Sequence, residues 1–302
     1  MTMAVLGIDL GATKISAAVF NASGDILERQ YALLDGRTGD AAGLLVCEVI
    51  GKLAKDHEIS GAGICVPGIV YSKKGTVWCP NIPGWDNYPL AGVLSSNLGG
   101  IPVSIESDRT CYILGEKWKG SAKDCDNAIY LAVGSGIGAG ILLDGRVIHG
   151  ADDIVGATGW MALESDYDKD WDQCGCFETF ASGNGIGYQA SKLYGREVSS
   201  YEVFDLFSKG DEIAAKVIRK AVQMWGKGAA NLVSLFNPEM IVFGGGVFSG
   251  PAKGLIPDIY EEALKWAQPI SIRNTRFCAS AVGADAALLG AAYLAGMYKA
   301  ER

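Results

Sequence analysis

Two glycine loops of one design stand far apart in the chain, and both are suited to facing a phosphate. The first is Gly7-Ile8-Asp9-Leu10-Gly11-Ala12-Thr13-Lys14, and the second is Gly134-Ser135-Gly136-Ile137-Gly138. Each lies between apolar, strand-like runs: Ala4 to Leu6 and Ile15 to Phe20 around the first, Ala128 to Val133 and Ala139 to Leu143 around the second. A strand, a glycine turn with a hydroxyl residue and a second strand make a hairpin whose backbone N–H groups can cradle an anion. Finding it twice points to a duplicated domain with a polyphosphate, ATP, held between the copies.

Within the first loop Gly11, Ala12, Thr13 and Lys14 are the candidate phosphate contacts, although Lys14 also reads as a solvated residue at a strand start. In the second loop the candidates are Gly134, Ser135, Gly136 and Gly138, the glycines admitting a close phosphate because no Cβ intervenes. Asp9 is a candidate outer-sphere partner of Mg²⁺, which usually keeps waters and borrows one or two carboxylates. Its alternative is a turn aspartate bonding its own backbone. A P-loop or a dinucleotide-binding loop would lead into a helix. Here both loops lead into strands.

To position two such hairpins the chain needs repeated α/β units, and 302 residues suffice for two domains. Hydrophobic content of 49% with 20% charged residues describes a globular chain. A net charge of −8 without a basic stripe argues against a nucleic-acid partner. No apolar segment is long enough to span a bilayer, and Met1 to Leu6 runs into the first loop without signal-like character. The eight cysteines have no disulfide-framework spacing, so a cytoplasmic location is expected.

Asp25 to Leu27 reads as a short strand and Ala41 to His57 as a helix with Leu44, Leu45, Val49, Ile50 and Leu53 on its apolar face. Gly61 to Val66 reads as a buried strand closed by a Pro67-Gly68 turn, and Val103 to Ile105 as another strand ahead of a helix from Thr110 to Trp118. The second half repeats the order: a hairpin over 128–148, a loop-rich insertion to about 175, helices, and a buried strand Met240 to Val247 through a third glycine cluster. A last helix, about Ala284 to Met297, is rich in Ala and Leu and suited to close packing. Strands alternating with helices give an α/β class.

In this order the motifs resemble those of the ROK family of bacterial sugar kinases, within the actin-like ATPase superfamily. The resemblance covers nearly the whole chain. It rests on Gly7-x-Asp9-x-Gly11-x-Thr13-Lys14, Val66-Pro67-Gly68, Asn81-Ile82-Pro83-Gly84-Trp85, Glu106-Ser107-Asp108, Gly134 to Gly138, Gly175 to Gly183 and Gly244-Gly245-Gly246. It implies a two-domain ribonuclease H-like fold of duplicated βββαβαβα-type domains around a central cleft. The N-terminal domain would be 1–116 plus 287–302, and the C-terminal domain 117–286. It further implies an ATP- and Mg²⁺-dependent kinase of a sugar or sugar-like polyol, often a homodimer. Family repressors carry a helix-turn-helix ahead of this region; this chain starts at the first strand, so none is expected.

By the same resemblance Asp108 is the general base, although an aspartate here also reads as the N-cap of the following helix. Pro67, Gly68, Asn81, Ser107 and Glu178 are substrate contacts, and Gly245 and Gly246 lie beside the adenosine or pack against a helix. The pattern breaks in two places. The family's Glu-x-Gly-His becomes Ala157-Thr158-Gly159-Trp160, so two polar sugar contacts are missing. Trp160 offers an aromatic face to a sugar ring, or fills space left by a lost metal loop. The zinc-binding cysteine run becomes Lys169-Asp170-Trp171-Asp172-Gln173-Cys174-Gly175-Cys176, which leaves only Cys176 on a ligand position. No structural zinc is expected. The acidic repeat Asp166-x-Asp168-x-Asp170-x-Asp172 lacks the Gly and Glu of a calcium loop and reads as a solvated turn. A non-catalytic nucleotide- and sugar-binding regulator is the alternative function.

Overall fold

The computed structural model describes residues 4–296. They divide into two compact units: the described parts of Met1–Lys123, His149–Val155 and Asp285–Arg302 form unit 1, and Asp124–Ile148 with Gly156–Ala284 form unit 2. The sequence expectation had placed the breaks at 116 and 286 and assigned 149–155 to the second half.

Unit 1 begins with β1 (Ala4–Leu10), β2 (Lys14–Phe20) and β3 (Ile26–Leu33), followed by α1 (Gly39–Asp56) and β4 (Ile59–Val66). A small hairpin of β5 (Ile69–Tyr71) and β6 (Thr76–Trp78) precedes α2 (Leu90–Asn97), β7 (Val103–Ser107) and α3 (Asp108–Lys119). Unit 2 holds β8 (Ala128–Val133), β9 (Ile137–Leu143), β10 (Arg146–Val147), α4 (Cys176–Ala181) and α5 (Gly183–Tyr194). It continues through α6 (Ser200–Ser208), α7 (Glu212–Phe236), β11 (Met240–Gly244), α8 (Ile256–Leu264), α9 (Pro269–Asn274) and β12 (Arg276–Ala279). The chain then returns to unit 1 as α10 (Ala286–Gly296).

The two sheets share one topology, β3-β2-β1-β4-β7 and β10-β9-β8-β11-β12. In each, a hairpin is followed by two strands added in parallel. The expected duplication is visible strand by strand.

Period-two alternation sorts β1 between two cores. Leu6, Ile8 and Leu10 join Ile64 and Val66 in packing against Val46, Val49, Ile50 and Leu53 of α1. On the other face Val5 meets Leu288 and Ala292 of α10, and Cys65 meets Cys111, Ala287 and Ala291. This second face is lined with glycine because α10 lies on it backbone to backbone. A Cβ at Gly7 would stand 2.5 Å from the Leu288 carbonyl oxygen, and Cβ atoms at Gly63 and Gly290 would run into the carbonyls of Ala291 and Cys111. The Ala-rich last helix thus packs on β1, β4 and α3.

Unit 2 is held by α7, whose Trp225 is fully buried and donates its indole N–H to the Ala181 carbonyl at 3.0 Å. Phe248 lies between Trp225 and Phe243, with ring centroids 5.0 Å from each.

Several element boundaries differ from the sequence reading. The third strand runs to Leu33 rather than Leu27, because it pairs along β2 as far as Lys14↔Leu33. The strand expected to reach Val247 stops at Gly244, since Gly245 turns the chain with φ +83°. The last helix begins at Ala286, and its expected end at Met297 lies outside the described residues.

Candidate active site

In unit 1, β1, β4 and β7 run parallel, so their C-terminal ends share one edge of the sheet. That edge carries the Asp9 and Gly11–Lys14 turn, Pro67-Gly68, and Ser107-Asp108. Gly11 closes the first hairpin by donating its N–H to the Lys14 carbonyl at 2.9 Å. Ala12, Thr13 and Lys14 are exposed, leaving the turn free to meet an anion. The Lys14 ammonium lies 6.0 Å from the Tyr31 ring centroid. Pro67 and Gly68 are half-buried, and Gly68 has the Trp78 backbone where a Cβ would sit.

The cap reading of Asp108 gives way at the start of α3. The N-cap is Ser107, whose hydroxyl accepts the Thr110 N–H and lies 3.2 Å from the Thr110 hydroxyl. Asp108 is the first helical residue, and its carboxylate accepts the adjacent Arg109 N–H at 2.8 Å. Ser107, expected beside substrate, therefore has its hydroxyl engaged in the cap. Burial pushes the Asp108 carboxyl above the usual range, opposed by the Arg109 charge. Burial, then the Asp108 charge, raises Asp9 to about 6 against the pull of Cys65 and Lys14. Asp9 and Cys65 are register partners on β1 and β4.

Asn81 is exposed on a loop pinned by Trp85, which is buried, stacks on Tyr88 at 4.6 Å and donates its N–H to the Gly39 carbonyl. Burial, then the Asp108 charge, pushes the Cys79 thiol up to about 12, so the base of this loop lies near Asp108.

In unit 2 the second hairpin closes with Gly134 N–H donating to the Gly136 carbonyl at 2.9 Å, and Ser135 is exposed at its tip. Gly138 lies beyond the loop, within β9 opposite Ala132. The reason for Gly136 differs from the one expected: a Cβ there would stand 2.7 Å from Glu178 Oε2. The Glu178 carboxylate accepts the Ile137 N–H at 2.6 Å, and a Cβ at Gly159 would stand 2.8 Å from it. Glu178, raised by burial against that hydrogen bond, thus joins the hairpin to the turn that carries Trp160. Trp160 is 58% exposed and does not fill a void.

Gly183 N–H donates to the Gly134 carbonyl at 2.7 Å, and Val247 N–H to the Val133 carbonyl at 3.0 Å. These bonds gather the hairpin tip, the start of α5 and the third glycine cluster around a cavity of about 320 Å³. Gly134, Ser135, Gly183, Asn184 and Gly246 form its polar wall, and Tyr201 and Phe204 its aromatic one. A helix N-terminus beside a glycine loop favours phosphate. Gly246 has open space in front of it, whereas a Cβ at Gly245 would stand 2.5 Å from the Val133 carbonyl oxygen. Of the two, Gly245 serves packing and Gly246 lines the cavity. Asn184, Ser200, Tyr201 and Phe204 escaped the sequence reading; the Ser-Tyr-x-x-Phe start of α6 is their only local signal.

Among the described residues no group of three or more His, Cys, Asp or Glu is placed to hold a metal ion. The acidic run is not merely solvated. Asp168 accepts the Asp170 N–H, and Asp170 binds Lys192 at 2.7 Å and Tyr188 at 3.1 Å on α5. No helix among the described residues is long and apolar enough to cross a membrane.

The sequence profile of the ROK family matches residues 5–297, and the chain belongs to that family. A glucokinase of Thermotoga maritima is 29% identical over 310 residues, 95% of this chain and 96% of that protein. The ROK hexokinase structure from Thermus thermophilus matches with a TM-score of 0.87 at 30% identity, covering 97% of this chain and 98% of that one. A ROK family glucokinase from Streptomyces griseus, in complex with glucose and AMPPNP, matches with a TM-score of 0.76 at 26% identity, covering 97% and 99%. The fold is the actin-like ATPase fold of the ROK hexokinases.

Proposed function

We propose that this ROK protein is a sugar kinase that transfers the γ-phosphoryl group of ATP to a sugar hydroxyl, with Asp108 as the base. The observation that carries this reading is the start of α3. Ser107 has taken the cap, so Asp108 keeps a half-buried carboxylate with one short-range hydrogen bond. Phosphoryl transfer needs in-line positioning, charge neutralisation and a carboxylate to take the hydroxyl proton. Burial that raises the Asp108 carboxyl makes its carboxylate a stronger base toward the hydroxyl proton, which it accepts as the new O–P bond forms.

The unit 2 cavity supports the nucleotide side: Gly134 and Ser135 would meet phosphate, and Tyr201 and Phe204 would flank the base or ribose. Asp9 fits a role toward Mg²⁺, since a carboxylate raised by burial and by the Asp108 charge gains from a nearby cation. When bound, that ion neutralises phosphate charge. Asp9 would hold it through water. Glu178 and the open face of Trp160 support sugar contacts in unit 2. With Ala157 and Trp160 where the family pattern has Glu and His, we infer an acceptor held more by ring stacking than by hydrogen bonds.

ADP production over a panel of hexoses, amino sugars and N-acetylated amino sugars tests this reading. Asp108→Asn should lower kcat by about 10²–10⁴-fold with little change in sugar KM. Sugar-stimulated turnover that survives the substitution would remove Asp108 as base. No turnover on any sugar, with ATP still bound, would instead favour a non-catalytic regulator.

A further inference from the structure

A second cavity in unit 2, of about 560 Å³, lies among α4, α5 and α7. Its rim carries Lys192, Lys216, Arg219 and Lys220, and no carboxylate lines it, in a chain whose net charge is −8. Its floor is apolar, formed by Phe180 and Val217, with the half-exposed Leu193 at its edge.

The four cations are not equivalent. Lys192 is committed to Asp170 at 2.7 Å, and Lys220 to Glu164 at 2.7 Å with its ammonium 5.0 Å from the Phe180 ring centroid. Lys216 and Arg219 have no carboxylate partner among the described residues. Lys216, Arg219 and Lys220 stand at i, i+3 and i+4 on α7, where like charges repel. Two unneutralised cations above an apolar floor match an anion of charge near −2 attached to an apolar or ring-shaped body.

We propose that this cavity is a binding site for a small phosphate monoester, separate from the nucleotide cavity. A phosphoryl group carries about −1.5 to −2 at neutral pH and offers three acceptor oxygens. Arg219 can bind two of them in a fork, while Lys216 supplies a point charge. The body of the ester covers Phe180, Leu193 and Val217. Phe180 and Glu178 share the six-residue helix α4, so the site adjoins the element that braces the second glycine hairpin.

The test is calorimetric titration of the full chain with AMPPNP present at saturation, so that the nucleotide cavity is filled. Phenyl phosphate, phenyl sulfate and inorganic phosphate are the probes. Phenyl phosphate should bind one equivalent, with phenyl sulfate and inorganic phosphate each roughly tenfold weaker, because one lacks the second charge and the other the apolar body. The neutral double variant Lys216→Gln/Arg219→Gln should weaken phenyl phosphate by about tenfold or more. Its thermal midpoint should not fall and its sugar-stimulated ADP production should remain unchanged, which separates this site from the catalytic reading. Asp108→Asn should leave the titration unaltered. Absence of saturable phenyl phosphate binding at millimolar concentration overturns the proposal, as does binding that the double variant leaves intact. Equal affinity for phenyl sulfate would reduce the cavity to an apolar cleft and overturn it too.

Discussion

Asp9, raised by burial and by the charge of Asp108, is an acidic group whose cost falls on the folded state. A carboxyl raised to about 6 holds its proton more tightly in the folded chain than in the unfolded one, where it titrates near 3.8. Its contribution is therefore neutral below the unfolded value and becomes destabilising as pH rises toward 6, by roughly 3 kcal/mol at most. Asp9→Asn should accordingly stabilise the nucleotide-free protein at pH 7 but not at pH 4, measured by urea unfolding at both values. Equal effects at the two pH values would show that Asp9 does not titrate in this window. The sequence alone left Asp108 poised between base and helix cap, because Ser and Asp are both good caps and stand side by side. Only the side-chain geometry of Ser107 separates them. Glu178 could be singled out from its motif. Its hold on the Ile137 N–H was not, since residues about forty apart in sequence meet only once the sheet has formed.

At the scale of elements, the hairpins could be read because glycine turns flanked by β-branched and apolar runs have few other solutions. Their mates were harder: β3 is half exposed and carries little apolar alternation, so its length is set by pairing along β2. The close approach of α10 depends on glycines in β1, β4 and α10 itself, which looked from the sequence like ordinary small residues. Gly63→Ala would place a methyl against the Ala291 backbone, which cannot rotate away as a side chain would. Overpacking of this kind costs about 1–3 kcal/mol. A fall in Tm larger than that from Gly51→Ala, a helix position with open space around it, is the expected result; equal effects would contradict the close packing. The polar wall of the cavity beside the second hairpin was half legible, through its glycines. Its aromatic side comes from α6, whose sequence looks like any amphipathic helix start.

At the scale of the whole chain, unit 1 is assembled from three separated stretches, the last of them α10. Leu288 and Ala292 complete one of its cores, and Ala287 and Ala291 bury Cys65 and Cys111. A chain ending at Ala284 should therefore expose both thiols to a disulfide reagent such as DTNB in native buffer, whereas the intact protein should shield them. Continued protection in the shortened chain would mean that α10 does not seal that face.

The glycine-lined side of β1 and β4 waits for a helix that begins at Ala286, far along the chain from both strands. On the ribosome, the first sheet must emerge with that surface bare and remain so until α10 has been made. A translational pause or a bound chaperone before α10 is made should thus bear directly on the yield of folded protein.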